Sequence, residues 1–441
     1  MKFKEYIIKN YDSVARSVIK NSSLAVILQI AVALSSFVET FIFTKSLGLA
    51  LFGTFTIVYS ISELVYGILD FRTGEAVIKY LPEVKQNIGT KGISSLLRFL
   101  MGIDLLIGVT GFILILILNK LFLNWFNIDQ KYLFILTIVS IGASFKFTVR
   151  CLGSYFRVIN EFQTLIKFHI GWVVFKLLIF TLLYLNHPDI KLIAIGSLIA
   201  DVSFFIVTIS IAIKSFSKYN LNPFISNTNS IAYLKKSIIK FIFSTNIAST
   251  LKVISSKLDV LVISALSPVN SAAQVVGLYK VASRVSGSLL MFSDPLLTAV
   301  YPEISRLSAT GEQKKIRGLL IMLTKILFLV CTTYFVGMYF FGGYILGILG
   351  KEYISALNVI LVMIIGVSSA VIFFWARPML LVHGKASKTI WATLISISLQ
   401  FSLLYFLVPK YGELGAGIAS ASSYIVAVIV FLIFLTQKTI K

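Results

Sequence analysis

Charge is what this 441-residue chain has least of. Only 13% of its residues are Asp, Glu, Lys or Arg, about half the share found in soluble globular proteins. So few charges cannot cover a water-facing surface, which excludes a soluble enzyme, and so little polarity excludes a disordered chain. There are two cysteines, Cys151 and Cys331, in or beside apolar runs. That excludes a disulfide scaffold and makes both read as small packing residues. The three histidines, His169, His187 and His383, lie far apart and share no ligand spacing, so no metal is expected. There is no Walker A loop, no HExxH and no nucleophile–base set, so neither enzymatic activity nor a cofactor is expected. The first apolar run is too long for a cleavable signal peptide, and no small-residue cleavage site follows it.

What the chain has instead is apolar length. Hydrophobic residues make up 57% of it, and the mean hydropathy is +0.92. Twelve hydrophobic segments can be read, at 24–44, 53–71, 96–118, 132–149, 165–185, 190–213, 241–265, 275–299, 318–341, 354–376, 389–408 and 413–435. Each is near the roughly 20 residues that span a bilayer. Continuous runs of this length must be helices, because lipid offers backbone groups no partner. The expected fold is an all-α polytopic membrane protein of about twelve transmembrane helices.

The formal charge of +22 would suggest nucleic acid in a soluble protein. Here the basic residues lie between apolar runs, so nucleic acid is not an expected partner and orientation is the better reading. With the N-terminus inside, twenty-six Lys and Arg residues fall in or at the edge of the inside intervals and six in or at the edge of the outside ones. The positive-inside rule demands such a bias, and it places both termini in the cytoplasm. Within residues 1–23, Phe3, Ile7, Tyr11, Val14 and Val18 share one helical face, which suits an interfacial helix or a basic topology signal. The longest polar interval, 214–240, is expected to be a cytoplasmic linker. It divides an N-lobe at 24–213 from a C-lobe at 241–435, with a cytoplasmic tail at 436–441.

The halves repeat each other. Gln29, Val32, Ser36 and Glu39 correspond to Ser249, Lys252, Ser256 and Asp259 at a constant offset of 220. Pro82-Glu83 matches Pro302-Glu303 at the same offset, and Gly53 matches Gly277 and Asp70 matches Asp294 at 224. Six spans per half return the chain to its starting side. The lobes are therefore expected to be parallel repeats, related by a pseudo-two-fold along the membrane normal, with substrate between them.

Charges inside spans cost a few kcal/mol and usually face a cavity or a partner. The seventh and eighth segments carry Lys252, Lys257, Lys280 and Arg284 against Asp259; the first two carry Glu39, Glu63 and Asp70. The cations suit an anionic group such as a phosphate or diphosphate. Glu39, Asp259, Glu63 and Asp70 suit ion coupling or counter-ion roles. The alternative is plain pairing across helices, for example of Lys252 with Glu39. Arg98, Asp104, Lys146, Lys176, Asp201 and Lys325 read mainly as snorkelling residues. Pro295 could kink the eighth segment, and the run Gly415, Gly417, Ala419, Ala421 suggests close helix packing.

Several stretches carry a family likeness: Leu47-Gly48, Phe52-Gly53-Thr54-Phe55, Gly74-Glu75-Ala76, Lys257-Leu258-Asp259-Val260, Val276-Gly277-Leu278-Tyr279-Lys280-Val281-Ala282 and Trp375-Ala376-Arg377-Pro378. The chain resembles the oligosaccharide flippase, or polysaccharide-biosynthesis transporter, family. Its superfamily also holds the multidrug and toxin extrusion exporters and the lipid II flippases. The resemblance implies two six-helix lobes with alternating access, and movement of undecaprenyl-diphosphate-linked oligosaccharide to the outer leaflet of the cell membrane. It places Lys280 and Arg284 at the diphosphate. It also implies membrane lipids, and glycosyltransferases or a polymerase of the same pathway, as partners. The rival readings are a cation-coupled multidrug exporter, using Glu39, Glu63 and Asp70, and a non-transporting scaffold.

Overall fold

The computed structural model describes residues 2–159, 161–224 and 228–436, with side chains from 28 onward apart from scattered positions. The amphipathic face of 3–18 and the side chains of Gln29, Ser249, Lys252, Ser256, Asp294, Pro295 and Pro302 lie outside the described residues. The described chain is helical, with no strand among the described residues. In order, the helices are α1 (Lys2–Ile68), α2 (Thr73–Ile88), α3 (Thr90–Trp125), α4 (Leu133–Phe147), α5 (Arg150–Val158), α6 (Phe162–Leu185) and α7 (Ile190–Lys218). After these come α8 (Ala232–Leu266), α9 (Ala272–Gly287), α10 (Leu290–Ala309), α11 (Gln313–Leu349), α12 (Ala356–Ile372), α13 (Ala376–Val382) and α14 (Ala386–Thr436).

Among the described residues, nine helical stretches are long and apolar enough to cross a membrane. The first and last, Ile30–Ile88 and Ser387–Thr436, run for 59 and 50 residues, each more than twice one crossing. Both contain a glycine at positive φ, Gly48 at 69° in α1 and Gly412 at 52° in α14. These breaks fall in the gaps between the first and second, and the eleventh and twelfth, hydrophobic segments. A break frees backbone groups that lipid cannot satisfy. At Gly48 the freed amide of Leu49 donates to Glu352 Oε2 at 3.1 Å. The protein is a multi-pass membrane protein.

By its contacts the chain divides into two compact units. The first comprises Met1–Ile42, Val58–Asn124 and Asp129–Leu258; the second comprises Phe43–Ile57, Trp125–Ile128 and Asp259–Lys441. The first is built on α4 against α7 and α2 against α5. One apolar cluster in it joins Leu81, Leu97, Phe156 and Phe216 to Ile231 and Ile238. The polar interval 214–240 is thus held down at both ends by apolar side chains, and Asn222 N donates to Ser94 Oγ at 3.0 Å. In the second unit α12 packs on α9 and α14. A Cβ on Gly366 would lie 2.4 Å from Ala421 Cα, so the small residues of α14 do permit close packing.

Candidate functional site

Three carboxylates of the first unit, Glu39, Glu63 and Asp70, each have a basic partner. Glu39 precedes the Gly48 break of α1, and Ser35, one turn earlier, donates to its Oε1 at 2.8 Å. Lys176 of α6 donates to Oε2 at 2.9 Å. The lysine is itself held between aromatic faces, with Trp172 and Phe180 centroids 5.5 and 5.9 Å away. Trp172 is anchored by its Nε1 on the Ala200 carbonyl at 2.8 Å. Glu63, in the second half of α1, receives Lys257 of α8 at 2.6 Å. Asp70, in the turn after α1, is 6% exposed and meets Arg150 at 2.6 Å and Arg72 at 3.5 Å. That turn is clasped by Asn246 of α8, whose Nδ2 donates to the carbonyls of Ile68 and Asp70, both at 2.9 Å.

Two further charges join this set. Lys146 of α4 lies within electrostatic range of Tyr59, Asp201, Glu63 and Glu39. Asp201 of α7 fits because α4 carries glycine opposite it: a Cβ at Gly142 would come within 2.9 Å of Asp201 Oδ2. The first unit therefore gathers Glu39, Glu63 and Asp201 with Lys146, Lys176 and Lys257, three acids and three bases. Charges in a low-dielectric interior are tolerated when paired and hydrogen-bonded, and breaking one pair leaves an uncompensated charge.

Asp104 of α3 has a different task. It is 1% exposed, accepts Thr73 Oγ1 at 2.5 Å and accepts the amide of Cys151 at 2.8 Å. Cys151 is in the first turn of α5, where amides lack helical partners. Asp104 thus fastens α5 and the start of α2 to α3.

The second unit carries its charges differently. Asp259, near the end of α8, accepts the Tyr279 hydroxyl at 2.8 Å and the Val260 amide at 2.7 Å. Lys280 and Arg284 lie one turn apart on α9; Lys280 is half-buried and Arg284 exposed. The end of α9 is pinned to α11 by Tyr334, which donates to the Val285 carbonyl at 2.9 Å and contacts Ser288 Oγ at 3.0 Å. Among the described residues no group of three or more His, Cys, Asp or Glu could hold a metal ion.

No family model matches the sequence. The chain is 31% identical to the probable low-salt glycan biosynthesis flippase Agl15 of Haloferax volcanii over 156 residues, which is 34% of this chain and 32% of Agl15. The chain spans less than half the length of the curated relatives it matches. In three dimensions it is similar to the lipid II flippase MurJ in an inward closed conformation. That match has a TM-score of 0.71 at 18% identity and covers 93% of this chain and 87% of MurJ. It is also similar to an inward-facing multidrug resistance MATE family transporter of the MOP superfamily, with a TM-score of 0.70 at 14% identity, covering 93% and 97%. The fold is the one that these two transporters share.

Within this fold, the sequence-derived candidates separate into three groups. Glu39, Glu63 and Asp70 are in ion pairs, Lys257 among their partners. Asp259, Lys280 and Arg284 belong to the second unit, and the side chain of Lys252 lies outside the described residues. Glu39 meets Lys176; the pairing with Lys252 suggested from the sequence falls on a side chain outside the described residues. Lys176 and Asp201 were read as snorkelling residues, yet both lie near the middle of their helices. Snorkelling requires a position near a helix end, so that placement was the available signal.

Proposed function

We propose that this protein flips undecaprenyl-diphosphate-linked oligosaccharide from the inner to the outer leaflet for surface polysaccharide biosynthesis. It does so by alternating access of two six-helix lobes, 24–213 and 241–435, joined by a cytoplasmic linker at 214–240. Twelve crossings leave both termini in the cytoplasm of a cell-membrane protein. The observation that carries the reading is an asymmetry of charge. Glu39, Glu63 and Asp70 are each neutralised by a basic residue at 2.9 Å or less, whereas Arg284 is exposed on α9. A cationic drug would have to break an ion pair to reach a carboxylate; an anionic head group meets a cation directly.

In this reading Lys280, Arg284 and Lys252 receive the diphosphate, arginine as a fork and lysine as a point charge. Lys257 joins them by exchanging Glu63 for a phosphate oxygen. Glu39, Glu63, Asp70 and Asp259 act as counter-ions or ion-coupling groups whose pairs are remade during the cycle. The names of Agl15, a glycan biosynthesis flippase, and MurJ, a lipid II flippase, support a lipid-linked glycan as cargo.

Deleting the gene tests the reading. Lipid-linked oligosaccharide should accumulate on the cytoplasmic side while drug susceptibility stays unchanged. Altered susceptibility to cationic drugs with normal surface glycan would instead establish the multidrug exporter.

A further inference from the structure

The second unit contains a cavity of about 580 Å³ that the transport proposal does not use. One face of α11 forms most of it, with residues recurring at three- and four-residue steps from Gln313 to Thr324. Its floor is Ile316 and Leu320, both buried in a small apolar cluster with Ile304 and Leu323. Phe373 and Trp375 wall it, their ring centroids 6.0 Å apart at 63°. Trp375 is fixed by its Nε1 donating to Thr324 Oγ1 at 3.0 Å. Arg317 and Lys325 supply the charge, and none of the described lining residues is acidic.

The composition of this cavity narrows what can fill it. An apolar floor wants hydrocarbon, and two cations without a carboxylate want an anion. The lining residue Ile321 and its neighbour Met322 are 45% and 52% exposed, so the mouth opens on the apolar surface of a membrane helix. Arg317 follows Lys314 and Lys315 at the basic end of α11, the cytoplasmic end by the positive-inside rule. Lys325 lies eight residues further in, about 12 Å along the axis, and its long stem lets the ammonium reach back toward the interface. Basic pockets between membrane helices on the cytoplasmic side suit anionic lipid head groups.

We propose that this cavity seats an anionic phospholipid of the inner leaflet. Its phosphate lies between Arg317 and Lys325, and an acyl chain lies over Ile316 and Leu320. The proposal rests on the membrane orientation and not on which substrate is transported.

Native mass spectrometry of the full chain in mild detergent, titrated with phosphatidylglycerol or phosphatidylcholine, tests it. The protein should retain phosphatidylglycerol preferentially. The R317Q/K325Q variant should weaken that binding roughly thirtyfold, at about fivefold per cation, while K314Q/K315Q leaves it unchanged. If R317Q/K325Q fails to fold, I321W keeps both charges, fills the mouth and should lower retention by itself. Equal retention of the two lipids overturns the proposal, as does equal loss in K314Q/K315Q or unchanged retention in R317Q/K325Q or in I321W. Displacement by millimolar inorganic phosphate, or by a polyprenyl diphosphate at equal concentration, also overturns it, by making the cavity a phosphate site or a substrate subsite.

Discussion

Gly53 and Gly277 meet backbone to backbone. A Cβ on Gly277 would lie 2.9 Å from the Leu49 carbonyl and 3.6 Å from Gly53 Cα; one on Gly53 would fall 1.7 Å from the Ala273 carbonyl and 3.1 Å from the Gly277 nitrogen. Both belong to the second unit, and they are positions that the sequence pairs at an offset of 224. Small residues let membrane helices approach this closely.

A methyl at either position therefore collides with a carbonyl that cannot move aside. Gly53→Ala and Gly277→Ala should each cost about 1–3 kcal/mol, the range for overpacking a tight contact. Gly102→Ala, with nothing within 4 Å of its Cβ position, serves as control. Thermal unfolding in detergent measures this; a Gly53→Ala protein as stable as the control would remove the close contact from the account.

The Glu39–Lys176 pair is suited to a double-mutant cycle. Glu39→Gln and Lys176→Met should each lower stability by about 1–3 kcal/mol, because each strands a partly buried charge. The double variant should lose less than the sum, with a coupling of about 1 kcal/mol or more. Additive losses, read from the same unfolding measurement, would mean that the pair carries no shared energy.

In the turn between α5 and α6, Glu161 accepts from Lys218 and Tyr219 beside Ser215. Partial burial raises its pKa, but the hydrogen bonds from Lys218 and Tyr219 outweigh that, so it lies below the ordinary 4.5. A depressed carboxylate stabilises the folded state in full above its unfolded pKa and loses that contribution as pH falls through the folded value. Hydrogen exchange of 215–221 should therefore be independent of pH, after correction for intrinsic rates, above about pH 5 and accelerate below about pH 4.5. Glu161→Gln should exchange at the accelerated rate already at pH 7. Protection in that variant equal to wild type at pH 7 would show that the carboxylate does not hold this corner.

The helices were legible because their cause is local: a bilayer-length apolar run has no other fold. The breaks at Gly48 and Gly412 were legible as gaps between such runs. Charge pairing was not, because partners come from remote segments. Glu39 finds Lys176 137 residues away and Glu63 finds Lys257 194 away, and no local pattern encodes those distances. The sequence shows the depth of Lys257 in a span but not that it faces Glu63. Gly53 and Gly277, paired in the sequence at an offset of 224, are in contact.

The most direct test of the central claim is translocation itself, followed in proteoliposomes loaded on one leaflet with fluorescent polyprenyl-diphosphate oligosaccharide. Wild-type protein should move the lipid to the opposite leaflet. Arg284→Glu should reduce that movement by tenfold or more while reconstituting and unfolding like wild type. Wild-type rates in the Arg284→Glu protein, or no movement above empty liposomes with wild type, would contradict the account.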